Sequence, residues 1–171
     1  ENFADALLKA LQSAEFTIPD DDGAVLITVG GEEMKRKIVP LAKSLSDLGF
    51  KIYATEHTAD ALYRAGLKNI TVLYKVSEPT RKPNIVDYIV QRKIDLVINI
   101  PAAAANPGGD MADILRDEYI IRRLAVEYNI PIVTTLELAS AIVKVLKYRK
   151  KNEIIVRSLN EYMDSLPLKY W

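Results

Sequence analysis

The amino-acid sequence predicts an α/β fold, a doubly wound five-stranded parallel sheet, and three observations carry that expectation. Short apolar runs alternate with helically spaced apolar residues five times along the chain. Such strict alternation requires parallel strands joined by right-handed crossovers that cover both faces of the sheet with helices. The run Ala24-Val25-Leu26-Ile27-Thr28-Val29 is almost continuously apolar, as suits a strand buried on both sides. Met34, Ile38, Leu41, Leu45 and Leu48 recur at spacings of 4, 3, 4 and 3, which is one face of a helix, and Gly49 is a natural stop.

The elements follow in order. Phe3, Ala4, Leu7, Leu8 and Leu11 stand at helical spacing until Pro19-Asp20-Asp21-Asp22-Gly23 ends the pattern with turn residues. After the first strand, Gly30-Gly31 turns the chain. Pro40 is a misfit, because proline in a helix interior costs about 3 kcal/mol. The second helix is therefore expected to begin near Lys37, with Pro40 in its first turn, or to kink there. Phe50-Lys51-Ile52-Tyr53 reads as the second strand, Thr58 to Gly66 as a helix, and Ile70-Thr71-Val72-Leu73-Tyr74 as the third strand. A loop with two prolines carries Glu78, Arg81 and Lys82, and Asn84 then caps a helix whose Ile85, Val86, Ile89 and Val90 face inward. Ile94 to Ile100 is the fourth strand. Ala102 to Asp110 reads as a mobile loop, Glu118 to Tyr128 as a helix, and Ile130 to Val133 as the fifth strand. Leu138, Ile142, Val145 and Leu146 make a closing helix. Its basic end, with Lys144, Lys147, Arg149, Lys150 and Lys151, reads as a solvated helix terminus favourable to the dipole. The expected division is a leading helix and linker over 1–22, the fold over 23–150, and a weakly patterned tail over 151–171.

Composition narrows the functions available. The 171 residues are 49% apolar and contain no cysteine, which suits one globular domain without disulfides, thiol catalysis or thiolate metal sites. A single histidine, His57, excludes histidine-rich metal clusters. Lys plus Arg and Asp plus Glu are both 23, so no global field draws the chain to nucleic acid or to an acidic membrane, and any anion site is local. No apolar run of about 18 residues suggests a membrane span and no leader pattern appears, so a cytoplasmic protein is expected. The start at Glu1 rather than Met suggests a processed chain or a fragment.

Every suggestive polar residue falls at the carboxyl end of a strand, where open α/β sheets bind ligands. These residues are Thr28 with Gly30-Gly31 and Lys35, Thr55 and Thr58, Lys75, and Asn99. The turn Ala54-Thr55-Glu56-His57-Thr58-Ala59 passes from strand into helix, so it offers backbone N–H groups and two hydroxyls at a positive helix end. Its plainer reading makes Thr58 a helix N-cap and Thr55 a turn residue. A strand order of 2-1-3-4-5 or 3-2-1-4-5 would gather these loops around one crevice able to hold a phosphate or carboxylate. Neither G-x-G-x-x-G nor G-x-x-x-x-G-K-[ST] is present. Candidate acid–base groups are Glu56, His57, Glu78 and Asp110; none has an evident partner, His57 is expected to be an exposed turn residue, and a binding module leads over an enzyme.

Six ordered segments carry a resemblance: G-A-V-L-I-T-V; G-F-K-I-Y-A-T-E-H-T-A; Y-K-V-S-E with K-P-N-I-V-D; I-D-L-V-I-N-I-P; I-I-R-R-L-A-V; and I-P-I-V-T-T-L. Over residues 23 to 146 the chain resembles the methylglyoxal-synthase-like regulatory domain at the C-terminus of the carbamoyl phosphate synthetase large subunit. Phe3 to Pro19 resembles the helix and linker joining that domain to the synthetase body. The resemblance implies a Rossmann-like three-layer fold that performs no chemistry and needs no cofactor of its own. It would sense effectors for a ligase that makes carbamoyl phosphate from bicarbonate, ATP with magnesium, and ammonia from a glutaminase small subunit, for pyrimidine and arginine synthesis.

Bacterial relatives bind UMP and IMP through two lysines, two threonines and an asparagine, which correspond here to Lys35, Thr55, Thr58, Lys75 and Asn99, with Thr28 in a supporting place. Lys37 neighbours Lys35, and the usual turn glycine is His57. Asn99-Ile100-Pro101 is closer to animal mitochondrial relatives that bind N-acetylglutamate, and Tyr74 stands where those place a tryptophan against the ligand. Lys75 retains the bacterial phosphate lysine and favours a phosphorylated effector. Of a pair that helps bind ornithine in some relatives, only Thr134 remains. The enzyme alternative, methylglyoxal synthase, uses a G-G-D aspartate after the third strand; here G-G-D ends at Asp110, in another loop. A purely structural docking module is the third reading.

Overall fold

In the computed structural model, which describes residues 2–101 and 111–165, the most apolar strand lies at the centre. This is β1 (Ala24–Val29), flanked by β2 (Lys51–Ala54) and β4 (Leu96–Ile100), with β3 (Ile70–Val72) and β5 (Ile132–Val133) at the edges. All pairings are parallel and the order is 3-2-1-4-5. The second of the two orders left open by the sequence is therefore the observed one.

Alternation along each strand sorts its residues between two cores. Val25, Ile27 and Val29 of β1 and Leu96, Ile98 and Ile100 of β4 join one core, while Leu26 and Val97 join the other. The first core is covered by α2 (Glu32–Leu48), α3 (Glu56–Arg64) and α6 (Leu136–Arg149), through Ile38, Ala42, Leu45, Ala59, Leu62, Ala139, Ile142, Val143 and Leu146. The second is covered by α4 (Ile85–Val90) and α5 (Met111–Glu127), through Ile85, Ile89, Ile121 and Ala125. The leading helix α1 (Phe3–Ser13) is capped by Asn2, whose Oδ1 accepts from the amides of Ala4 and Asp5, and it packs on α6.

Several boundaries differ from expectation. α2 begins at Glu32 and runs through Pro40, which lies on the exposed face of the helix. α3 begins at Glu56, so Thr55 is its N-cap and Thr58 lies inside its first turn. β3 ends at Val72, and Tyr74 makes only an isolated parallel bridge to Asn84. β4 begins at Leu96 rather than Ile94 and β5 at Ile132 rather than Ile130. α5 begins at Met111, well before Glu118, because the chain there buries Asp117 and Glu118 rather than exposing a polar loop. The stretch Ala102 to Asp110 lies outside the described residues.

The basic end of α6 is more engaged than a solvated terminus. Arg149 donates to the carbonyls of Ile18 and Pro19 and pairs with Asp21, while Lys150 Nζ donates to the Leu48 carbonyl at the end of α2. These bonds join the linker and two helix ends. The tail forms α7 (Leu159–Ser165), opened by a capping box in which Ser158 and Glu161 bond reciprocally. Lys9 Nζ donates to the Tyr162 hydroxyl at 2.9 Å, which ties α7 to α1.

Candidate functional site

The carboxyl edge of the sheet collects the residues singled out in the sequence. Thr28 pairs in register with Asn99, and by alternation both side chains lie on the face of Leu26 and Val97, the face covered by α4 and α5. Asn99 is 0% exposed, and among the described residues neither its Oδ1 nor its Nδ2 has a hydrogen-bond partner. A buried amide left in that condition is an exception that calls for a cause, since each unpaired group costs about 1–3 kcal/mol.

The threonine turn adjoins that point. The Thr58 hydroxyl accepts from the Val29 amide at 3.2 Å and from the Thr55 hydroxyl at 3.2 Å, so it fastens the start of α3 to the end of β1. Neither threonine side chain makes a capping bond, although Thr55 occupies the N-cap position of α3. α3 has no side-chain cap bond at Thr55, and α2 has none at Gly31, which adopts φ 74°. By contrast α1, α4 and α6 are capped by Asn2, Asn84 and Thr135. Two helix N-termini with uncommitted N–H groups thus point toward the carboxyl edge, where their dipoles favour an anion.

Lys35 is the inward lysine of its turn. Its side chain is 14% exposed and pairs with Glu32 at 2.7 Å, whereas Lys37 is 49% exposed and pairs with Glu33. The hydrogen bond and charge of Lys35 hold the Glu32 carboxyl below its ordinary range. Lys75 begins the β3–α4 loop, half-buried, and its carbonyl accepts from Asn84 Nδ2 at 2.7 Å and from the Glu78 amide. Among the described residues no carboxylate lies within ion-pair distance of its ammonium. Thr134, one residue beyond β5, is level with Asn99 because Ile98 pairs with Val133. It stands on the opposite side of β4 from the threonine turn.

Three residues of this region escaped the sequence reading. Arg81 donates to both carboxylate oxygens of Glu56, at 2.9 and 3.1 Å, and to Glu78 at 2.7 Å, and its guanidinium lies 3.7 Å from the Tyr74 ring centroid. One face of Tyr74 is therefore covered by a cation. Asp117, buried at 6% exposure, accepts from the Ser77 amide and hydroxyl, both at 2.8 Å, and so clamps the loop from the α5 side. Its signal in the sequence was an acid flanked at helical spacing by Ile114, Ile120 and Ile121, an apolar face that demands a partner. Asn84 is also more than a cap, since it donates to the carbonyls of Lys75 and Glu78 and fixes the loop from within.

The acid–base candidates are otherwise engaged. Glu56 and Glu78 both bind Arg81, whose hydrogen bond holds the Glu78 carboxyl below its ordinary range. His57 is exposed in the first turn of α3 rather than in a free turn. Asp110 lies outside the described residues, and among those residues no cluster could hold a metal ion. A hollow of about 310 Å³ opens at the other end of the sheet, lined by Gly49, Phe50, Lys51, Asn69 and Thr71 among others. It holds none of the carboxyl-edge residues.

Sheet order and layering define a doubly wound α/β domain. Residues 37–134 match the MGS-like domain, and the chain belongs to that family. It is 41% identical to the carbamoyl phosphate synthase large chain of Methanobrevibacter smithii, over 96% of this chain and 14% of that protein. Against the large chain of Acidobacterium capsulatum it is 40% identical over 93% of this chain and 13% of that protein. It is 37% identical to the large chain, C-terminal section, of Methanopyrus kandleri, over 93% of this chain and 27% of that protein. The chain thus spans a minor part of each relative it matches, and the resemblance read from the six segments is borne out.

Proposed function

We propose that this chain is the effector-binding, MGS-like domain of a carbamoyl phosphate synthase large chain, and that its carboxyl-edge crevice takes a phosphorylated small molecule such as UMP or IMP. The observation that carries the reading is Asn99, fully buried with a donor and an acceptor both unmatched among the described residues. A ligand oxygen would relieve that cost. In this reading Thr28, Thr55 and Thr58 would supply hydroxyls, Lys35 and Lys75 charge, and the N-termini of α2 and α3, which have no side-chain cap, backbone N–H groups. Tyr74 would pack against the ligand through the ring face that Arg81 leaves open.

The parent protein would be a cytoplasmic, ATP- and magnesium-dependent ligase that receives ammonia from a glutaminase subunit, with this domain biasing its activity toward pyrimidine and arginine synthesis. Among the described residues no helix is long and apolar enough to cross a membrane. A thermal-shift panel of UMP, IMP, UTP and N-acetylglutamate tests the reading. At about 100 times the dissociation constant a true effector adds roughly 2.7 kcal/mol, or about 5–11 °C for a domain of this size. Lys75→Ala should remove most of that shift. Stabilisation by N-acetylglutamate alone would overturn the choice of ligand, and methylglyoxal formed from dihydroxyacetone phosphate would overturn the non-catalytic reading.

A further inference from the structure

A carboxylate in the first turn of α3 is at odds with an anion seat there. Glu56 follows the N-cap Thr55 directly and lies two residues before Thr58, so its charge opposes any anion that the helix dipole would attract. Glu78, at the mouth of the β3–α4 loop, adds a second negative charge on the same rim. Arg81 answers both. It grips Glu56 through two nitrogen–oxygen bonds and Glu78 through a third, while its flat face stacks on Tyr74.

We propose that Arg81 is a latch and charge mask for the crevice: it ties the β3–α4 loop, and with it Lys75, to the first turn of α3 and screens Glu56 and Glu78 from an incoming phosphate. This inference rests on the effector reading and adds a specificity-determining residue to it. The planar fork of arginine suits the role because it satisfies two carboxylates in fixed geometry. Partial exposure of all three charges, at 44%, 41% and 31%, keeps the tie reversible and sensitive to salt. The opposite side of the loop is held by two bonds from Ser77 to the buried Asp117 carboxylate, so the latch is the side that opens. A planar ligand group that needs the covered face of Tyr74 must first displace Arg81, so ligand shape is coupled to loop position.

Two measurements separate the latch from the effector reading. Backbone amide exchange at residues 77–81, in the ligand-free protein, should quicken by about fivefold or more in R81Q and in E56Q, and in wild type at high salt. Calorimetric titration with UMP and with inorganic phosphate should show R81Q weaker by about tenfold, and R81Q/E56Q recovering to within about threefold of wild type, because removing the unmasked charge restores the field. If guanidinium stacking on Tyr74 were its only role, the double variant would stay as weak as R81Q. That result, or unchanged exchange in R81Q, overturns the proposal. A wild-type chain that binds neither probe overturns the effector reading and the masking role with it, while the exchange data still report on the tie itself.

Discussion

Replacing Asn99 with leucine, a side chain branched at the same carbon, should leave the ligand-free domain as stable as wild type or more stable. Most polar-to-apolar changes at a fully buried strand position break hydrogen bonds and destabilise. Here there are none to break among the described residues, where both polar atoms of Asn99 lack partners. Two unmatched groups cost about 2–6 kcal/mol between them, and overpacking by leucine takes back most of that gain. The net expectation is about 1 kcal/mol, a rise of about 2–4 °C in melting temperature. The same substitution removes the amide proposed to meet the ligand, so the shift produced by UMP in wild type should disappear. Differential scanning fluorimetry of both proteins, each with and without saturating UMP, reads both effects at once. A fall of several degrees in the ligand-free variant, or a full UMP shift retained in it, would refute the reasoning.

Three further outcomes follow from the same structure. Ser77→Ala removes the hydroxyl bond to the buried Asp117 carboxylate and keeps the one from the backbone amide. It should cost about 1.5–3 kcal/mol in denaturant unfolding, and an unchanged midpoint would mean that water replaces the hydroxyl. Pro40→Ala restores a donor inside α2 at an exposed position and should stabilise by about 2 kcal/mol, after allowance for the stiffness proline gives the unfolded chain, as read by urea titration. Acid should open the latch. The Glu78 carboxyl is held below its ordinary value of 4.5 by Arg81, so its contribution is fully present above that value and is lost as the pH falls through the lower folded one. Amide exchange at residues 77–81, corrected for intrinsic rates, should therefore rise only below about pH 4.5, and a rise near neutrality would assign the loop's stability to another group.

What the sequence made legible follows from the range of each interaction. Periodicity is local, so β1, the α2 face and the β-α alternation could all be read directly, as could the placement of Thr55, Thr58, Lys75 and Asn99 at strand ends. The order 3-2-1-4-5 stayed open against one alternative because register between strands is not written in either strand alone. Arg81 and Asp117 were not identified because their partners lie 25 and 40 residues away, and a lone charge in a loop or helix does not announce a distant mate. Ser158-Leu159-Asn160-Glu161 is a different case. The capping box is written in the tail, which reads only as weakly patterned, and it opens a short helix there. The threonines departed from expectation because α3 starts at Glu56: Thr58 falls inside its first turn, and Thr55, at the N-cap, donates its hydroxyl to Thr58 instead of accepting from a helix amide.

Amide-resolved NMR during a titration with UMP, with N-acetylglutamate as the comparison, tests the central claim most directly. The account predicts that UMP moves the Asn99 side-chain resonances together with the backbone amides of Glu56, His57 and Thr58. Perturbations confined to the hollow near Gly49 and Thr71, or none with UMP and a full response to N-acetylglutamate, would contradict it.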